Sequence, residues 1–76
     1  MRDPSFTTTY VGSSIACARM KAGISQLELA HRIGRKGDDA GAHISRIEKG
    51  VQEPKLETLI EIAKALKVPL ESLLPV

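Results

Sequence analysis

Seventy-six residues with 42% hydrophobic and 26% charged side chains describe one small globular domain, not a disordered or membrane-spanning chain. A single cysteine, Cys17, excludes an internal disulfide framework and any cysteine-based zinc site, which suits a reducing cytoplasm, and no apolar run resembles a membrane span or signal segment. The formal charge is only +2, but residues 1–50 hold eight basic and five acidic groups against three and four in 51–76, so an anionic partner is expected on the first two-thirds.

Residues 1–8 are polar, contain Pro4 and show no apolar period, so they read as a flexible lead-in to a domain spanning 9–76. From Thr9, a candidate N-cap, Val11, Ile15, Ala18 and Ala22 recur at steps of three and four. That spacing predicts a helix to about Lys21, closed by Gly23. Arg19 falls beside Ile15 on the inward edge, where a charge needs a partner. Cys17 lies on the other side and reads as an inert small residue.

Ser25-Gln26-Leu27-Glu28 has the form of a capping box and opens a second helix, which runs to Ile33. Leu29, Ala30 and Ile33 point inward, Leu27 and His31 point outward, and Gly34 is the stop. Arg35 to Asp39 reads as a turn around Gly37, with Asp38 or Asp39 as the next N-cap. The third helix, Ala40 to Lys49, turns Ile44 and Ile47 inward and Ser45, Arg46 and Lys49 outward, and Gly50 ends it. Gly41 costs this helix roughly 1 kcal/mol relative to alanine, which a purely structural helix has little reason to accept. Two apolar anchors with a basic outer edge suit a helix held against an anionic surface.

Pro54 suits the first turn of a fourth helix, whose stripe of Leu56, Leu59, Ile60, Ala63 and Leu66 runs to about Lys67. Pro69 breaks it, and Leu70, Leu73 and Leu74 predict a last short helix stopped by Pro75. The sum is five short helices and no strand pattern, an all-α domain with an aliphatic core. Two histidines without tight spacing give no basis for a metal site or cofactor, and nothing places a catalytic triad in a pocket.

Two short helices joined by a turn and flanked by others have the geometry of a helix-turn-helix. The order Gly12-x-x-Ile15, Arg19, Ser25-Gln26-x-x-Leu29-Ala30-x-x-x-Gly34, Ile44-Ser45-Arg46-Ile47-Glu48-x-Gly50, Pro54, Leu59 and Ala63-x-x-Leu66 resembles the repressor and Cro type of helix-turn-helix domain, the XRE family. The resemblance covers about residues 11–74. It implies a compact five-helix, lambda-repressor-like fold with the helix-turn-helix at helices two and three. It implies a sequence-specific regulator, not an enzyme, that occupies an operator in double-stranded DNA as a homodimer in the cytoplasm.

The resemblance also implies roles for single residues. Gln26 matches a phosphate- or base-contacting glutamine. Ser45, Arg46 and Lys49 match outward positions of the recognition helix, where Arg46 suits guanine and Lys49 a phosphate. An arginine at the place of Arg19 pairs with a glutamate at the place of Glu48, which accounts for the inward charge. The chain departs from the pattern between Gly34 and Ile44, where nine residues, Arg35 to His43, form a longer stretch than the family carries. Arg35 and Lys36 add basic groups there, and the two aspartates repel phosphate unless they cap the helix or face away. Base readout in that stretch falls to the Ala42 methyl against thymine and to a hydrogen bond from His43.

The alternative is a protein-interaction module on the same fold, an antitoxin or adaptor whose DNA binding is secondary. The longer turn, Gly41-Ala42 and the modest charge favour it slightly. Val68, Leu70 and Val76 are the apolar remainder on which a homodimer interface is expected.

Overall fold

The computed structural model describes residues 4–74. Four α-helices follow one another: α1 Pro4–Ala22, α2 Gln26–Arg32, α3 Ala40–Glu48 and α4 Leu56–Leu66. A single 3-10 turn, Leu70–Leu73, completes the order, and the described residues contain no strand. The fifth helix of the expected five is therefore this one turn. It is held by i to i+3 bonds, in which Ser72 N–H and Ser72 Oγ–H both donate to the Pro69 carbonyl, at 3.0 and 2.7 Å. Pro75 and Val76, read as a helix stop and as interface, lie outside the described residues.

Helix α1 begins at Pro4 rather than at Thr9, so residues 4–8 are its first turns. Proline is well placed there, because a first helical residue has no intrahelical partner for an N–H. The apolar stripe that set the expected start marks only where the helix meets neighbours. Val11 and Ile15 are buried and Ala18 packs against the core, whereas Ala22, expected inward, is exposed at the last residue.

The core gathers Ile15 from α1, Leu29 from α2, Ile44 and Ile47 from α3, Ile62 from α4 and Leu73 from the final turn, all fully buried. Helix α4 corrects two readings. Pro54 precedes the N-cap residue, Lys55, and so stands outside the helix. Leu56 shares the inward face by spacing yet is 62% exposed, while Ile62 is buried and Ile60 only half-buried. Side chains tilt toward the helix N-terminus, so the one on the first residue projects past the end of the packed face. Val68 and Leu70 are half-buried and pack against the core of their own chain.

Helices α1 and α3 cross at Gly12. A Cβ there would clash with the Ile47 carbonyl oxygen and lie 2.7 Å from that of Glu48. Helices α2 and α3 meet at Gly41, where a Cβ would stand 3.2 Å from Leu27 N and 3.3 Å from Leu27 Cα. Gly41 therefore has a structural purpose after all. It lets the first turn of α3 approach the backbone of α2.

Candidate nucleic-acid interface

The two helices of the site begin differently. Ser25 caps α2, its Oγ accepting from Glu28 N–H at 3.0 Å. The Glu28 carboxylate does not close a reciprocal box in the observed bonds; it accepts from Arg32 Nε at 3.1 Å, one turn on. Asp39 stands at the N-cap of α3, but its side chain makes no capping bond, and its carbonyl accepts from Ala42 N–H at 3.0 Å instead. The turn before it, residues 33–39, absorbs the extra length of the chain, with Gly37 at φ 98°. Both aspartates are exposed at this end of the helix.

From Ile44 and Ile47, fully buried, the rest of α3 is oriented. Arg46 and Lys49 are exposed, Ser45 and His43 half-buried, and Ala42 exposed near the start. Gly41 faces the Leu27 backbone of α2. Arg35 and Lys36 are exposed on the turn, and Gln26 is half-buried at the start of α2.

Two groups of these residues come together. Arg35, His43 and Arg46 are close enough for both guanidinium charges to act on the imidazole. Burial first, then Arg35 and Arg46, hold the His43 pKa below its ordinary value of 6.5, so the ring is neutral at neutral pH. Its Nδ1 is buried without a hydrogen-bond partner. The second group is inward. Arg19 Nε donates to Glu48 Oε2 at 2.7 Å and Arg19 Nη2 to Oε1 at 3.2 Å, while Gln26 Nε2 donates to the same Oε1 at 2.9 Å. Lys36, Ala42, Ser45 and Lys49 join neither group through a side-chain bond among those described.

One participant escaped sequence reading. Gln52 Oε1 accepts from Arg46 Nε at 3.2 Å. The backbone after α3 curls back, with Val51 and Gln52 N–H both donating to the Arg46 carbonyl at 3.1 and 3.3 Å, and this sets the amide beside the guanidinium. The only signal was a polar residue shortly after the helix-ending Gly50.

The His43 environment has a consequence for stability. A lowered folded pKa means that the unfolded chain takes up the proton first. The contribution is complete above about pH 6.5 and is lost as pH falls through that value toward the folded one. Urea unfolding of the wild type and His43→Asn at pH 7.5 and 5.5 is expected to show a smaller acid-side loss in the variant. Equal losses would mean that the ring carries no such linkage.

Two short helices in close contact, the second anchored by isoleucines and edged with arginine and lysine, have the geometry of a helix-turn-helix. The family model described as helix-turn-helix matches residues 18–73, and the chain belongs to that family, in its repressor and Cro type. The family is a DNA-binding regulator fold and not an enzyme family. An uncharacterized HTH-type transcriptional regulator of Sinorhizobium fredii is 36% identical over 61 residues, covering 80% of this chain and 29% of that protein. One of Mycobacterium tuberculosis is 37% identical over 62 residues, covering 82% and 41%. This chain thus spans less than half the length of these curated relatives.

Among solved structures, the restriction-modification controller protein C.AhdI from Aeromonas hydrophila superposes with a TM-score of 0.84 at 22% identity, over 95% of this chain and 99% of that one. The DNA-binding domain of BldD gives 0.79, also at 22% identity, over 93% and 97%. At that identity the likeness is one of fold. Among the described residues, no helix is long and apolar enough to cross a membrane.

Proposed function

We propose that the chain is the DNA-binding part of a sequence-specific transcriptional regulator, repressor-like, acting in the cytoplasm as a homodimer on a two-fold operator. The observation that carries the reading is the outward basic edge of α3, Arg46 and Lys49, on a helix held by Ile44 and Ile47. Helix α3 enters the major groove, and in a dimer its two copies stand about 34–36 Å apart, one turn of DNA. Arg46 reads guanine. With Nε held by Gln52, its two terminal nitrogens remain for O6 and N7. Lys49, Lys36, Arg35 and Gln26 hold phosphates, while Ala42, His43 and Ser45 meet base edges at the start of the helix.

Duplex selection on the purified chain at two salt concentrations tests this. Arg46→Ala is expected to relax base preference and cost about 1–3 kcal/mol of binding. Lys49→Ala is expected to weaken all sequences alike and to lower the salt slope by about 1. Absent or salt-independent enrichment would refute the reading. The rival, a protein-interaction module, loses one of its supports because Gly41 is accounted for by its contact with Leu27.

A further inference from the structure

Glu48 holds an uncharged partner besides its ionic one. Its two carboxylate oxygens take three donors: Arg19 Nε on Oε2, and Arg19 Nη2 together with Gln26 Nε2 on Oε1. Arg19 is itself tied down, because Nη1 donates to the Ile24 carbonyl at 2.9 Å, just before α2. The side chains of the pair are only 14% and 6% exposed, so solvent offers little competition for these bonds. A short chain of bonds therefore runs from the last turn of α1 through the end of α3 to the first residue of α2.

The chemistry of the partners decides how the Gln26 amide is turned. A carboxylate only accepts, so the nitrogen of the amide must face Glu48 and the carbonyl oxygen must face elsewhere. One of the two N–H groups is spent on Glu48. The second N–H and Oε1 stay available on a half-buried side chain whose amide plane is already set. A glutamine free on the surface loses its rotamer freedom when it binds, whereas this one is ordered beforehand.

We propose that Glu48, steadied by Arg19, is a positioning residue for DNA binding: it locks the Gln26 amide so that the remaining N–H is presented to a backbone phosphate. The ion pair then couples the packing of three helices to a contact at the nucleic-acid surface. The proposal rests on the reading of Gln26 as a DNA contact.

The test uses the full chain and a mixed-sequence duplex at low salt, which reports phosphate contacts without a known operator. Gln26→Ala, Glu48→Gln and the double variant are compared in a cycle, with folding checked by urea unfolding. Gln26→Ala is expected to weaken binding about tenfold, as loss of a charge-assisted hydrogen bond does. Glu48→Gln should weaken it by a similar factor, and the double variant should be no weaker than either. A full effect of Gln26→Ala with factors that multiply, or with none from Glu48→Gln, would overturn the positioning role and leave the Gln26 contact standing. No effect of Gln26→Ala would overturn the contact and the proposal with it.

If Glu48→Gln fails to fold, the wild type decides by nuclear magnetic resonance. The two Gln26 side-chain protons should be rigid and distinct in the free protein, and added duplex should shift one and spare the other. A freely mobile Gln26 amide, or two protons that respond equally, would sink the idea.

Discussion

Gly12→Ala is expected to lower the stability of the chain by about 2–4 kcal/mol, the net of two opposed effects. Alanine is the better helix former by roughly 1 kcal/mol, and at a solvated position in α1 the change would help. Here the added Cβ meets backbone. It would lie 2.7 Å from the Glu48 carbonyl oxygen and 2.9 Å from its carbon, besides clashing with the Ile47 carbonyl. A backbone carbonyl cannot swing aside as a side chain does, so α1 and α3 must move apart. That movement opens the core around Ile15, Ile44 and Ile47. A domain of this size holds only about 4–11 kcal/mol in total, so the loss is a large share. Urea unfolding followed by circular dichroism measures it. Stability equal to or above wild type, as helix propensity alone predicts, would show that the two helices do not touch at this point.

The second large effect is expected at the inward ion pair. Glu48→Ala should cost about 3–5 kcal/mol, because it strands the Arg19 guanidinium at a site that is 14% exposed. It also leaves Gln26 Nε2 without its acceptor. Removing both charges is a different matter. Arg19→Met combined with Glu48→Leu should recover most of the loss, since no uncompensated charge then remains in the interior. Added salt should change the Glu48→Ala penalty little, as a pair this far from solvent is weakly screened. Chemical denaturation of the three variants at one pH, with and without high salt, checks all of this. A double variant as unstable as Glu48→Ala would mean that the pair itself, rather than the avoidance of a buried charge, holds the helices together.

These two sites show how far residue order reaches. The spacing of Val11, Ile15 and Arg19 puts an arginine on the buried edge of a helix, and that placement alone demands an acid nearby. Family resemblance, rather than spacing, pointed to Glu48. Gly12 belonged to the matched pattern without a reason attached, and the reason is a crossing of two backbones. Gly41 is costly to its own helix, and the same kind of crossing, against Leu27, accounts for it. A glycine's cost is local and visible in the sequence. Its benefit lies in another segment and is not.

The rest of the pattern divides in the same way. Ser25, Gly34, Gly50 and the isoleucines of α3 are short-range signals, set by hydrogen bonds and periodicity within a few residues, and they located α2 and α3 well. The first turns of α1 carry no apolar period that would mark its start, and periodicity gives Leu56 an inward face without saying where the neighbours end.

An all-helical domain, the helix-turn-helix within it and a basic outer edge at Arg46 and Lys49 are legible in the order of residues. Each follows from interactions between residues close in the chain. What meets that edge and its support emerges from helix packing: Gln52 on Arg46, the crowding of His43 by Arg35 and Arg46, and the Gln26 amide on Glu48, 22 residues away. Such contacts depend on distances between helices, which packing sets and no local period encodes.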